Sequence, residues 1–335
     1  MKAIVLQSAF GIENLHVVDR PEPTPGHGQV LLKMKAWSLN YRDLLVAKGL
    51  YNPKLKFPFV PLSDGVGEVI GVGPGVTRVK VGDRVAGCFM SRWIAGAITD
   101  IGAKSGLGGN IEGIAAEQVV LDEDAVVKVP THLSDEEAAT LPCAAVTAWN
   151  ALVTQGGLKA GDSVLVQGTG GVSIFALQFA RMMGARVIAT SSSNAKLERV
   201  KQMGASDGIN YKDTPAWDEK VREVTGGAGV DHVVEVGGAG TFNLSMKSVR
   251  LGGIVSLIGV LAGKGDVNLM PVLMKSVRVQ GIFVGSREMF EAMNKAIALA
   301  QMRPVADRVF DFKDIQAALK HMEAGAHFGK ICLRA

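Results

Sequence analysis

Short apolar runs, each closed by Gly, Pro or Asp, mark the first part of the chain: residues 2–6, 29–36, 64–71, 84–89 and 116–121. Their Val and Ile content and their length predict β-strands. One helix-like stretch, residues 41–48, lies among them. Residues 93–113 are Gly-rich and weakly patterned, which predicts a surface or active-site loop. The texture changes at Ser134-Asp135-Glu136-Glu137, where Ser followed three residues later by Glu forms a capping-box pattern and opens a helix towards Thr154. From there strands at 163–167, 186–190, 208–211, 230–236, 253–259 and 277–285 are predicted, with helices at 172–183, 195–203, 216–225 and 242–248 among them. Apolar strands with little polar alternation, interleaved with amphipathic helices, describe a parallel sheet covered on both faces. That is a doubly wound, nucleotide-binding α/β architecture. The tail predicts helix 288–301, strand 308–312, helix 313–322 and strand 330–333, and no internal repeat is visible.

Composition narrows the class. A chain of 335 residues exceeds one comfortable core, so two domains are expected. The net charge of +4 comes from Lys and Arg spread without a dense run, which argues against a dedicated nucleic-acid or membrane surface and leaves a small-molecule substrate. Cys88, Cys143 and Cys332 are odd in number and far apart, so a reducing compartment is favoured over a disulfide framework. No apolar leader follows Met1 and no run approaches about 18 apolar residues. The expected location is cytoplasmic. The histidines show no metal-ligand spacing, and no Gly-x-Ser-x-Gly elbow supports a hydrolase.

The strongest chemical signal is Gly168-Thr169-Gly170-Gly171-Val172-Ser173, between a predicted strand and a predicted helix. Glycines there let a pyrophosphate approach the backbone, and the helix N-terminus offers unpaired N–H groups. Ser173 stands where a third small residue is needed for close helix–strand packing. Gly168, Gly170, Gly171 and Val172 are therefore candidate cofactor contacts. About twenty residues on, where an acid would bind the ribose 2′-hydroxyl of NADH, the chain has Thr190-Ser191-Ser192-Ser193-Asn194, with Lys196 and Arg199 beyond. Hydroxyl donors and cations suit a 2′-phosphate, so NADPH is preferred over NADH, with Ser191, Ser192 and Lys196 as its candidate partners. The same serines also suit a loop that caps the next helix.

Both halves together resemble the medium-chain dehydrogenase/reductase superfamily, in its zinc-independent, quinone-oxidoreductase-like branch. The resemblance rests on Asn40-Tyr41-Arg42-Asp43, Asp64-Gly65-Val66-Gly67-Glu68-Val69, Val81-Gly82-Asp83-Arg84-Val85, the run from Leu141 to Trp149, the Gly168 turn and Gly329-Lys330. It implies an α/β fold, with a Rossmann domain at 126–288 inserted in a β-rich GroES-like catalytic domain made of 1–125 and 289–335. In zinc-bearing relatives a Cys, a His with a nearby Glu, and a second Cys hold the catalytic metal. Here those positions read Asn40, Ser63-Asp64 and Cys143, so no zinc is expected. The structural-zinc lobe keeps at most Cys88.

The resemblance further implies Asn40 and Tyr51 as hydrogen-bond donors to the substrate oxygen, with Asp43 either beside them or structural. Tyr41, Thr147, Tyr211, Gly237, Ile258, Val260, Phe283, Val284 and Lys330 match cofactor-contact positions, with Lys330 reaching the pyrophosphate. It implies a homodimer through pairing of the segment 277–285, from Val277 to Gly285. The expected activity is hydride transfer from NADPH to a quinone or α,β-unsaturated carbonyl. Two rivals stand beside it: an alcohol dehydrogenase-like enzyme on an alcohol/aldehyde pair, and an NADPH-binding sensor or nucleic-acid-binding protein with little turnover.

Overall fold

The computed structural model describes residues 1–259 and 265–335. The chain forms two compact units, one from residues 1–146 and 284–335 and the other from residues 147–283. The junctions expected at 125/126 and 288/289 thus fall at 146/147 and 283/284. The first moves because the strand Val126–Lys128 pairs with Arg84–Gly87 inside the β-rich unit, and Arg84 holds Asp135 there at 2.7 Å.

In the β-rich unit the strand Gln29–Leu39 is the spine. It pairs antiparallel with Asp64–Val72, with Gln118–Asp122 and with Lys330–Arg334, and the last of these pairs parallel with Ala306–Asp311. Buried and part-exposed positions alternate along its first half, as expected for a sheet with one face on the core. Trp37 anchors that core: its ring lies 4.3 Å from that of Phe312, and its Nε1–H donates to the Ile114 carbonyl at 2.6 Å. The bond satisfies the one polar atom such a ring buries.

The other unit is a six-stranded, all-parallel sheet in the order Asp207–Asn210, Arg186–Ser191, Ser163–Gln167, Val230–Glu235, Val249–Leu257, Arg278–Gly281. Val164, Leu165 and Val166 are buried in succession, because helices cover both faces. Burying each such side chain is worth about 1.5–3 kcal/mol. The strand expected over 277–285 is shorter, Arg278–Gly281, and forms one edge of the sheet. The loop expected over 93–113 carries the short helix Asp100–Ala103 and buries Ser105 and Leu107. Among the described residues no helix is long and apolar enough to cross a membrane.

Candidate active site

The phosphate turn has the geometry its sequence requires. Strand Ser163–Gln167 runs into Gly168 at φ +69°, a left-handed conformation that favours glycine, and Gly170 caps the helix Gly171–Met182, of which Val172 is the second residue. Among the described residues, a Cβ built at Gly168 or Gly170 would meet no atom within 4 Å. The space over the helix N-terminus is therefore open, where unpaired N–H groups and the helix dipole favour an anion. Ser173 donates its hydroxyl to the Gln167 carbonyl at 2.6 Å and ties the first helical turn to the strand end. These residues fit a dinucleotide pyrophosphate.

At the end of the neighbouring strand both readings of the serines find a place. Ser193 caps the helix Asn194–Gln202 by accepting the Lys196 N–H at 3.4 Å. Ser191 is buried, accepts the Ser193 N–H at 3.3 Å, and receives the Tyr211 N–H on its carbonyl at 3.1 Å. Ser192 and the Lys196 side chain are part-exposed beside them, and the Tyr211 ring is exposed. The nearest acid in sequence, Glu198, is exposed and bound to Lys201 at 2.9 Å. Thr147 is buried. Gly237 follows strand Val230–Glu235, and Ile258 donates its N–H to the Glu235 carbonyl at 2.9 Å. Val260 lies outside the described residues.

Phe283 is exposed, whereas Val284 is buried at φ +51°. A β-branched residue in that region is strained, and such strain clusters at functional sites. Leu62, unbranched at Cβ but also in the left-handed region at φ +68°, lies immediately before Ser63-Asp64.

In the β-rich unit Asn40 sits in a buried polar cluster, and Tyr51 is half-buried. Asn40 precedes the helix Tyr41–Ala47, and its backbone N–H donates to Asp43 at 2.7 Å. Tyr41 itself is exposed. Lys330, expected to reach a pyrophosphate, is only 3% exposed and donates to the Leu39 carbonyl and to Asn40 Oδ1, each at 2.5 Å. An ammonium can only donate, so it turns the Asn40 amide oxygen towards itself and the NH2 away. That NH2 faces Ser63 Oγ at 3.4 Å, and Ser63 donates to Asp64 at 2.7 Å. Asp64 also accepts the Cys143 backbone N–H at 3.0 Å.

Burial pushes the carboxyls of Asp43 and Asp64 upward; Arg42 opposes this most at Asp43, and Lys330 most at Asp64. The Arg42 guanidinium donates to the Leu107 carbonyl at 2.6 Å and lies 5.7 Å from the Tyr51 ring. Asp43 therefore takes the structural role, as a partner of Asn40 and Arg42. Asn40 and Asp64 share one polar neighbourhood through Ser63, and Tyr51 approaches it through Arg42.

Zinc does not fit this cluster. Asn40 and Ser63 are not zinc ligands, which leaves one carboxylate and one thiol where three protein ligands are needed. Burial, reinforced by the charge of Asp64, pushes the Cys143 thiol up, against the thiolate a metal requires. Among the described residues no group of three His, Cys, Asp or Glu is placed to hold a metal ion. Cys88, the remnant of the second lobe, is buried and pushed up to about 12.

A Gly-rich turn opening a helix at the end of a six-stranded parallel sheet, joined to a β-rich unit carrying a polar cluster, defines a nicotinamide-dependent oxidoreductase. The chain belongs to the alcohol dehydrogenase family within the medium-chain dehydrogenase/reductase superfamily. Residues 26–131 match the alcohol dehydrogenase GroES-like domain, and residues 171–299 match the zinc-binding dehydrogenase family. A zinc-type alcohol dehydrogenase-like protein of Schizosaccharomyces pombe is 45% identical, over 92% of this chain and 91% of that one. An acryloyl-coenzyme A reductase of Metallosphaera sedula is 30% identical, over 99% of each. The crystal structure of an NAD-dependent alcohol dehydrogenase superposes with a TM-score of 0.91 at 33% identity and covers 100% of both chains. None of the three carries the name of a quinone oxidoreductase.

Two carboxylates were hard to place from sequence. Glu235 ends an apolar strand and is wholly buried, and a lone acid in Val-Val-Glu-Val-Gly-Gly was the available signal. Asp64 was legible only as the partner of a missing metal.

Proposed function

We propose that the protein transfers hydride from NADPH to a small conjugated carbonyl compound, an enone, a quinone or an unsaturated thioester, without a catalytic metal. The observation that carries this reading is the donor set around Asn40: an amide and a hydroxyl, Asn40 and Ser63, stand at two of the metal-ligand positions, and the Lys330 ammonium holds the amide oxygen. A metal ion contributes several kcal/mol when a simple carbonyl accepts hydride. Acceptors that spread the incoming charge over a conjugated system need only orientation and hydrogen bonding. The Asn40 amide and the Tyr51 hydroxyl supply those donors. Hydride goes to the electrophilic carbon, and a proton from Tyr51 or solvent completes the enolate or quinol oxygen. A bound nicotinamide supplies the hydride. Gly168, Gly170 and the N-terminal turn at Gly171 and Val172 would hold its pyrophosphate, and Ser191, Ser192 and Lys196 would favour the 2′-phosphate.

A second reading, oxidation of an alcohol or reduction of an aldehyde, is favoured by the names of two of the three relatives. One experiment separates them. Quinones, enones, an unsaturated thioester, aldehydes and alcohols are assayed with NADPH and NADH, before and after treatment with a chelator, and bound metal is measured. The expected result is NADPH-dependent reduction of the conjugated acceptors, unaffected by chelation. Turnover of alcohols and aldehydes alone, lost on chelation, with one zinc per chain, would sink the proposal. Tight NADPH binding with no turnover of any substrate would point to a sensor. The same reading extends to assembly: the edge strand Arg278–Gly281 would pair with its counterpart in a second copy.

A further inference from the structure

Glu235 is 0% exposed, yet among the described residues no lysine or arginine bonds to it. Five neutral donors converge on it instead. Its Oε1 accepts the Gly237 N–H at 2.8 Å, the Gly238 N–H at 2.9 Å and the Thr241 hydroxyl at 2.5 Å. Its Oε2 accepts the Gln167 side-chain amide at 2.8 Å and the Ser245 hydroxyl. The Gln167 Oε1 in turn accepts the Val236 N–H at 3.3 Å. The carboxylate also lies at the N-terminus of the helix Ala239–Ser248, where the helix dipole favours a negative charge.

Gln167 and Glu235, at the centre of this network, each lie at a strand end beside a turn. Gln167 is the residue before Gly168, and its carbonyl holds Ser173 of the helix that follows. Gly237 packs so closely that a Cβ would lie 2.2 Å from the Thr241 hydroxyl, which Glu235 itself fixes. Strands Ser163–Gln167 and Val230–Glu235 are adjacent and parallel, so the two turns lie side by side at the carboxyl end of the sheet, where such sheets bind ligands. A valine would continue the apolar strand without the penalty of desolvating a carboxylate. A penalty tolerated at this point, with both oxygens fully used, marks an orienting device.

We infer that Glu235 is a positioning residue for the dinucleotide: with Gln167 it forms a buried clamp that sets the Gly168 turn and the Gly237–Gly238 turn relative to each other. The inference rests on the reading of the Gly168 turn as the cofactor site. Hydrogen-bond polarity makes it testable with isosteric changes. In Glu235→Gln an NH2 group faces the NH2 of Gln167, and flipping Gln167 only turns its NH2 onto the Val236 N–H. Adding Gln167→Glu restores the pairing. The glutamine at 235 keeps its oxygen on Gly237, Gly238 and Thr241 and donates to the carboxylate at 167, whose other oxygen accepts from Val236.

The test measures NADPH binding by fluorescence titration and steady-state kinetics for the wild type, Glu235→Gln and the Gln167→Glu/Glu235→Gln exchange. Glu235→Gln is expected to raise the Kd and KM for NADPH by about tenfold or more, the loss of one buried hydrogen-bonded pair. The kcat at saturating NADPH should stay within about twofold, and the exchange should recover most of the affinity. A role confined to stability would lower the melting temperature and leave the KM of the folded protein unchanged. That outcome overturns the inference, as does an exchange variant that folds but binds NADPH weakly. If Glu235→Gln does not fold, the exchange variant alone decides: wild-type affinity supports the clamp, and weak binding overturns it. Wild-type protein that binds no nicotinamide dinucleotide overturns the cofactor reading and the clamp with it. Wild-type binding matched by Glu235→Gln overturns the clamp alone.

Discussion

His232 is buried in the strand Val230–Glu235, with Nε2 3.1 Å from Asp162. Burial holds its ring below the usual 6.5, and Asp162 only partly offsets this. A ring whose folded-state pKa is depressed adds stability above the unfolded value, and that stability is lost as pH falls through the folded value. Urea unfolding at about pH 7.5 and about pH 5 should therefore show a loss at the lower pH that His232→Gln reduces. An unchanged pH dependence in the variant would remove His232 from the account. Lys196 makes a separate prediction. Lys196→Glu should raise the KM for NADPH about tenfold, roughly 1.4 kcal/mol, and leave that for NADH nearly unchanged. Equal losses for both cofactors would refute the 2′-phosphate assignment.

At the scale of elements, the Gly168 turn invites a substitution that separates binding from folding. Gly170 has φ −76° as the helix cap, and open space surrounds its missing Cβ. Serine is a better cap than glycine by a few tenths of a kcal/mol, so Gly170→Ser should leave the melting temperature unchanged or slightly raised. Its side chain would intrude on the pyrophosphate, and NADPH affinity should fall at least about tenfold. A variant that keeps full affinity would show that the turn does not cradle the cofactor.

This turn was legible because strand, glycines and helix are consecutive in sequence. Other elements were not. The strand Leu15–Asp19 is mostly exposed and lacks a clean alternation. The helix expected from residue 134 to residue 154 is broken into Asp135–Ala139, Val146–Trp149 and two π-helical turns, Leu141–Ala145 and Asn150–Thr154, the first containing Pro142. Short Met270–Met274, with Pro at its start, gives too little periodicity to read. In the candidate site, Lys330 and Asn40 are 290 residues apart, and Gln167 and Glu235 are 68 apart, so neither pairing leaves a local pattern.

At the scale of the whole molecule, the proposed dimer is open to measurement. Sedimentation should find a dimer at micromolar concentration, and Val279→Lys on the edge strand should dissociate it. A wild-type monomer at every concentration would overturn the proposal.

The unit holding the phosphate turn comes from one uninterrupted stretch, whereas the sheet of the other needs residues 330–334 seated against Gln29–Leu39. A ribosome delivers the first as a complete package but must emit nearly all of the chain before the second can close. A chain truncated near residue 300 should therefore form a parallel sheet that resists protease while its opening strands are still digested. The same order of events leaves the exposed edges of those early strands in need of a chaperone during synthesis.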